Sequence, residues 1–217
     1  MVIIGAGEHA REVAEILRHQ AQQSNDLSLV GFVVDDPANH PKTISDLPVL
    51  GDWSWFEEVD RSELAVVCAI GSPQLRKQLA ERAVSKELRF TNAVSPLAYI
   101  SPEAKIGAGV MIFPHVFLSL DSFIADHAVL NAGATVSHDS QVGRYGTLAP
   151  GVHLAGNVSV GEGCSLGIGS SVMNGVSIGE WSVVGAGAVV IRNLGDNVTA
   201  VGVPARVISD ERKVQDE

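Results

Sequence analysis

Two cysteines in 217 residues are too few for a disulfide framework, and both sit in apolar patterns, so Cys68 and Cys164 read as buried thiols. No stretch approaches the apolar length of a membrane-spanning helix, and the opening MVIIGAG lacks the basic start and the length of a signal peptide, so cytoplasmic residence is expected. Positive charge is scarce as well. Fifteen Lys and Arg stand against 25 Asp and Glu, and a net charge of −10 sets up a field that attracts neither nucleic acid nor an anionic membrane. Small molecules are the expected partners. A hydrophobic content of 46% is ample for a packed core, in one large domain or two small ones.

A second absence organises the chain: from Pro96 to Ile191 it runs as sixteen hexads without an insertion or a deletion. The fifth place of each hexad is aliphatic, from Ile100, Ile106 and Ile112 through Val136 and Val142 to Val184 and Val190. The third holds only Ala, Val, Ser, Gly or Cys, so both places point inward. A period of six fits neither the 3.6 of a helix nor a heptad, but it suits short strands broken by sharp corners. The second place marks the corners. It carries Gly at 109, 133, 151, 163, 169, 175 and 187, and His115, Asp121, His127, Asp139 and Asn157 elsewhere, the residue types that best tolerate positive φ. Strands of about four residues stacked at roughly 4.8 Å per layer predict a parallel β-helix about 26 Å tall.

The residues before it read as a βαβ domain, with VIIG as a first strand and an amphipathic helix running through His9, Val13, Ile16 and Leu17. LVGFVVDD and LAVVCAIG supply further strands, and PQLRKQLAERAVSK a second amphipathic helix. The turn Gly5-Ala6-Gly7-Glu8-His9-Ala10 opens like a dinucleotide fingerprint but has Ala10 in the place of the third glycine, so it is either a bare turn or a helix start that meets a phosphate or sugar. Ligands gather at the carboxyl edges of parallel strands, which makes Asp35 and Asp36 candidates for a ribose or base. The aromatics Trp53, Trp55 and Phe56 read as core. The expected division is 1–90, 91–208 and a polar tail, 209–217.

Among the seven histidines, His19 and His40 lie in polar surroundings, His115 and His127 occupy corners, and His153 points outward from a flat face. His138 opens its hexad at an outward place beside Asp139 and is the candidate general base. Asp139 either supports it or is only a corner residue. Asn131 closes one hexad and His138 opens the next but one, so they should occupy neighbouring corners of a coil, roughly 15 Å or more apart. A shared substrate would then need a second subunit.

The hexads resemble the left-handed β-helix of the hexapeptide acyltransferases. With GAGEHAREV, VGFVVDD, AIGSPQLR, NAGATVSHDSQVG, LAPGVHLAGNVSVGEGCSLGIGSSV and GVPARVI, the whole chain is similar to the sialic acid O-acetyltransferase and nucleotide amino-sugar N-acetyltransferase family, bacillosamine type included. The resemblance implies a Rossmann-like domain holding a nucleotide sugar and a left-handed parallel β-helix forming a homotrimer, with acetyl-CoA between neighbouring prisms. It assigns His138 as proton acceptor, Asp139 as its support and Asn131 as a sugar contact. Gly7, Glu8, His9, Asp35 and Asp36 would hold the nucleotide sugar; Gly156 would offer its amide to the thioester, and Ile168, Ala186, Pro204 and Arg206 would touch coenzyme A. Glu8 stands where the family commonly has Gly. Nine residues after His138, where bacillosamine enzymes can carry a second histidine near the cofactor, stands Thr147, which the resemblance would place at coenzyme A. Carbonic anhydrases of this fold pair histidines five residues apart, a spacing absent here, so no metal is expected. The implied reaction is N-acetylation of a nucleotide-linked (UDP, dTDP or GDP) amino sugar. O-acetylation of a sugar hydroxyl and a non-catalytic assembly module are the alternatives.

Overall fold

The computed structural model describes residues 1–23 and 27–210, and these form two compact units. The first comprises Met1–Pro96 with Ala108–Met111, and the second Leu97–Gly107 with the chain from Ile112 onward.

In the first unit, β1 (Val2–Ile4) is followed by α1 (Glu8–Gln23), β2 (Gly31–Val33), β3 (Thr43–Ile44), β4 (Leu47–Gly51) and α2 (Trp55–Glu58). Then come β5 (Ala65–Cys68), α3 (Pro73–Ser85), β6 (Arg89–Phe90) and β7 (Ala93–Val94). The sheet order is β3-β4-β2-β1-β5-β6, parallel except for the β3–β4 pair. β1 is buried along its whole length because neighbours flank it on both sides. α1 buries Ala10, Val13, Ala14, Ile16 and Leu17, one stripe at helical spacing. It continues past Leu17, where the apolar pattern stops, and Gln20 near its end accepts a hydrogen bond from the Val94 N–H at 3.0 Å. α3 starts where the sequence allows a start: the Ser72 hydroxyl accepts from the Leu75 N–H, and Pro73 needs no donor partner in the first turn.

In the second unit, strands β8 (Tyr99–Ile100) to β23 (Val189–Val190) fill the fourth and fifth places of the sixteen hexads. Paired backbone is therefore two residues per hexad, shorter than the four expected, because the corners take the other four. Each strand pairs in parallel with the one eighteen residues on, as Phe117 with Thr135 and Thr135 with His153, so three hexads close one coil. The result is a left-handed parallel β-helix with three flat faces. Its first face includes β13 (Val129–Leu130), β16 (Thr147–Leu148), β19 (Ser165–Leu166) and β22 (Val183–Val184). The second includes β14 (Thr135–Val136) and β17 (His153–Leu154), and the third β15 (Gln141–Val142) and β18 (Ser159–Val160). β24 (Val198–Val201) extends the first face in parallel with β22, and β25 (Arg206–Asp210) returns antiparallel to it.

The fifth-place residues are buried from Ile112 to Val190, as are the third-place ones from Val110 to Ala188. Buried serines lock successive coils together. Ser140 donates to the Ala155 carbonyl at 2.8 Å and accepts from the Val158 N–H at 3.0 Å. The expected corners take positive φ, His115 at 61°, His127 at 59° and Asp139 at 57° among them. Tyr145 and Trp181 join them at 59° and 56°, although their residue type gave no such sign. Of the expected polar tail, Ser209 and Asp210 belong to β25. The remainder, 211–217, lies outside the described residues.

Candidate active site

His138 and Asp139 form the corner between β14 and β15. The positive φ of Asp139 turns the chain sharply enough to bring its carboxylate back to the preceding ring, and His138 Nδ1 lies 2.8 Å from Asp139 Oδ2. With the carboxylate accepting from Nδ1–H, the tautomer is set and Nε2 carries the lone pair. Both side chains are about half exposed, at 52% and 51%, so the ring is open to a ligand.

One coil later the same corner carries Gly156, and one coil beyond that Asn174. The imidazole lies over Gly156: a Cβ there would come within 2.6 Å of His138 Cε1 and Nε2, and within 3.1 Å of Asn174 Oδ1. No other residue type leaves this space. The Gly156 carbonyl accepts from the Gly175 N–H, while the Gly156 N–H makes no hydrogen bond among the described residues. A lone pair, a vacant amide donor and a side-chain amide thus border one small volume, which is what proton removal and stabilisation of an oxyanion require.

The remaining candidates in this unit lie elsewhere. Asn131 follows β13 at a different corner, between the first and second faces, and its amide donates to the Leu148 carbonyl at 2.9 Å. Thr147 projects from the first face on the adjacent coil, opposite Val129. Ile168 and Ala186 stand one coil apart at that other corner, Ile168 62% exposed and Ala186 also exposed. Pro204 follows a cis peptide bond and Arg206 begins β25, both exposed. Within one chain, therefore, His138 and Gly156 share one corner and Ile168 and Ala186 another, with Thr147 on the first face and Pro204 and Arg206 beyond the hexads.

In the first unit, the carboxyl edge of the sheet forms a cleft of about 240 Å³ lined by Gly5, Ala6, Asp35, Asp36, His40 and Trp53 among others. Gly5, at φ 107°, lets the turn pack against the next strand end, where a Cβ would meet Ile70 Cδ1 at 2.6 Å. Asp35 Oδ1 accepts from Trp53 Nε1 at 2.8 Å and from Arg82 at 2.9 Å, and the Arg82 guanidinium lies 4.3 Å above the Trp53 ring. Asp36 is occupied in capping the turn Pro37–Asn39. Gly7 and Glu8 are exposed, and Glu8 accepts from Arg11 at 2.8 Å. His9 is largely buried, and burial together with the charge of Arg76 pushes its pKa down to about 4, so the ring is neutral. Arg76, fully buried, donates to the carbonyls of Ile70 and Gly71 and fixes the rim of the cleft. His40 and Trp53 reach this cleft through loops, and Arg82 reaches Asp35 from α3, which no local pattern signals. Asn174 does have a signal, two steps of eighteen from His138.

Burial raises the thiols of Cys68 and Cys164 to about 12 and about 11, and neither reaches a base, so they stay protonated and unreactive. Among the described residues no three His, Cys, Asp or Glu gather in a way that could hold a metal ion. None of the helices among them is long and apolar enough to cross a membrane.

Residues 1–83 match the family described as PglD N-terminal domain, and residues 157–192 the bacterial transferase hexapeptide (six repeats). No curated protein sequence matches the chain. Among solved structures, GDP-perosamine N-acetyltransferase from Caulobacter crescentus is similar at 38% identity over 96% of both chains, with a TM-score of 0.89, in a histidine-to-alanine mutant complexed with CoA and GDP-perosamine. The acetyltransferase domain of PglB from Neisseria gonorrhoeae FA1090, in complex with acetyl coenzyme A, is 28% identical over 95% of this chain and 98% of its own, with a TM-score of 0.86. WeeI from Acinetobacter baumannii AYE is 26% identical over the same shares, also at 0.86. Likeness of this extent over both units, joined to a histidine set over a glycine on a hexapeptide β-helix, places the chain in the family of PglD-like hexapeptide-repeat acetyltransferases.

Proposed function

We propose that the protein transfers the acetyl group of acetyl-CoA to the amine of a nucleotide-linked amino sugar. The observation that carries this reading is the His138 ring, oriented by Asp139 at 2.8 Å and lying over the open Gly156, in a chain 38% identical to an enzyme crystallised with CoA and GDP-perosamine. His138 Nε2 takes a proton from the sugar amine as its nitrogen attacks the acetyl carbonyl. The Gly156 N–H meets the developing oxyanion, and the proton passes on to the departing thiolate. Asp139 keeps Nδ1 protonated and stabilises the imidazolium. One histidine suffices because an amine is a better nucleophile than a hydroxyl and needs no separate activated serine or cysteine.

The cleft at Gly5, Asp35 and His40 takes the nucleotide, with Gly7, Glu8, His9 and Asp36 around it. Asn131 contacts the sugar, and Thr147, Ile168, Ala186, Pro204 and Arg206 line the path of coenzyme A. Because Ile168 and Ala186 stand at a different corner of the prism from His138, the working enzyme is a homotrimer in which one subunit supplies the base and its neighbour the cofactor groove. A cytoplasmic location fits a substrate and cofactor of this kind. Acetyl transfer to UDP-, dTDP- and GDP-linked amino sugars tests the reading, with light scattering for the trimer. His138→Ala should lower kcat by a factor on the order of 10² to 10⁴ with coenzyme A affinity unchanged, and an unchanged kcat would remove His138 from the mechanism.

A further inference from the structure

We propose that Arg82 is a positioning residue for the nucleotide: together with Trp53 it fills one oxygen of Asp35, so that the other alone accepts from a donor on the nucleoside. This rests on the assignment of the cleft to the nucleotide. Arg82 does not line that cleft. It lines a separate hollow of about 300 Å³ with Asp52, Ser54, Glu57 and Lys86, and only Asp35 and Trp53 border both spaces. The short-range influence of the guanidinium on a ligand in the cleft therefore passes through those two side chains.

Trp53 is buried with its ring centroid 5.8 Å from that of Phe56, so its indole N–H is a fixed donor. That N–H reaches Asp35 Oδ1 at 2.8 Å, and Arg82 Nη1 reaches the same oxygen at 2.9 Å while the guanidinium covers the indole ring at 4.3 Å. A carboxylate oxygen has two lone pairs, so Oδ1 is full. Oδ2 makes no hydrogen bond among the described residues. A half-turn of the group only exchanges two equal oxygens. The other acid of the cleft, Asp36, gives one oxygen to the Ala38 N–H and the second to the Asn39 amide, which leaves Asp35 Oδ2 for a ligand. A nucleoside offers it a hydroxyl or a ring N–H, and an ionised acceptor already held in place loses little freedom on binding. The Arg82 charge also offsets that of Asp35, which would otherwise repel the phosphates of the ligand.

The test is a double-mutant cycle on the full chain: wild type, Arg82→Met, Asp35→Ala and the double variant. Each is titrated with UDP, dTDP and GDP by calorimetry and assayed for acetyl transfer. Methionine still covers the indole but donates no hydrogen bond, and Arg82 is 46% exposed, so the core stays intact. In Arg82→Met, Kd for the nucleotide that wild type binds best and KM for the nucleotide sugar should rise about five- to twentyfold, with kcat and the acetyl-CoA KM unmoved. In the Asp35→Ala background the same change should add less than about twofold, because the oxygen it positions is gone. An unchanged nucleotide Kd in Arg82→Met overturns the inference. So does a loss that persists in full beside Asp35→Ala, which would make Arg82 act by a route of its own. Both leave the acetyltransferase reading standing. A wild type that binds none of the three nucleotides brings down the inference and the cleft assignment together, whereas one that binds a nucleotide but acetylates no amine brings down the reaction alone.

Discussion

Replacing Gly156 by alanine should separate activity from stability. The backbone at 156 is not among the positive-φ positions, so a Cβ costs nothing in φ, and a glycine removed at a compatible site stabilises the fold by about 0.4–1 kcal/mol through the unfolded chain. The added methyl would nevertheless lie 2.6 Å from both Cε1 and Nε2 of His138, about 1 Å inside a normal carbon contact. The movable partner is the half-exposed imidazole. It must swing outward, which stretches the 2.8 Å bond to Asp139 and carries Nε2 off the acceptor nitrogen. Displacement of a reacting group by about 1 Å costs on the order of 10² in rate. Gly156→Ala should therefore melt at the wild-type temperature or slightly above it while kcat falls about a hundredfold. Thermal melting and steady-state kinetics on one preparation read both. A variant with full kcat refutes the placement of the ring, and one that melts far lower shows that the glycine serves packing instead.

Gly161→Ala should do the reverse, because its Cβ would meet backbone, Glu180 N at 2.7 Å; a loss of about 1–3 kcal/mol in stability is expected, measured by urea unfolding, with normal turnover in the folded fraction. His9, held near 4 when its ordinary value is 6.5, binds its proton more readily in the unfolded chain, so stability falls as pH drops from 6.5 toward 4, by at most a few kcal/mol. Melting temperatures of wild type and His9→Gln across that range check this, the variant losing less. Cys68 and Cys164 should resist a thiol reagent at neutral pH in the folded protein and react fully in denaturant, a difference read by absorbance.

The β-helix was legible because every inward place admits one residue class, so sixteen repeats of the same restriction leave little freedom for another fold. Tyr145 and Trp181 escaped notice as corners because large aromatic residues seldom accept positive φ. What holds them there is ring packing: Tyr145 stacks on His127 with centroids 5.4 Å apart and planes 4° from parallel, and Trp181 covers Gly163. The contact between His138 and Asp139 was legible from an outward histidine beside a corner acid. The cleft at the carboxyl edge of the sheet was only half so. Asp35 and Asp36 end a strand and announce themselves, but Trp53 and Arg82 come from 18 and 47 residues along the chain to bond Asp35, and spacing of that kind carries no period.

The eighteen-residue step makes the site a matter of remainders. His138, Gly156 and Asn174 meet at one corner because their numbers agree after division by eighteen. Loss or gain of a single hexad between them would preserve every inward aliphatic residue, and hence the fold, yet rotate the later members by a third of a circle onto another edge. Whole coils gained or lost outside 138–174 leave this corner intact, but within that span even a full coil changes which residue lies under the ring, so length can vary in units of eighteen only beyond the site.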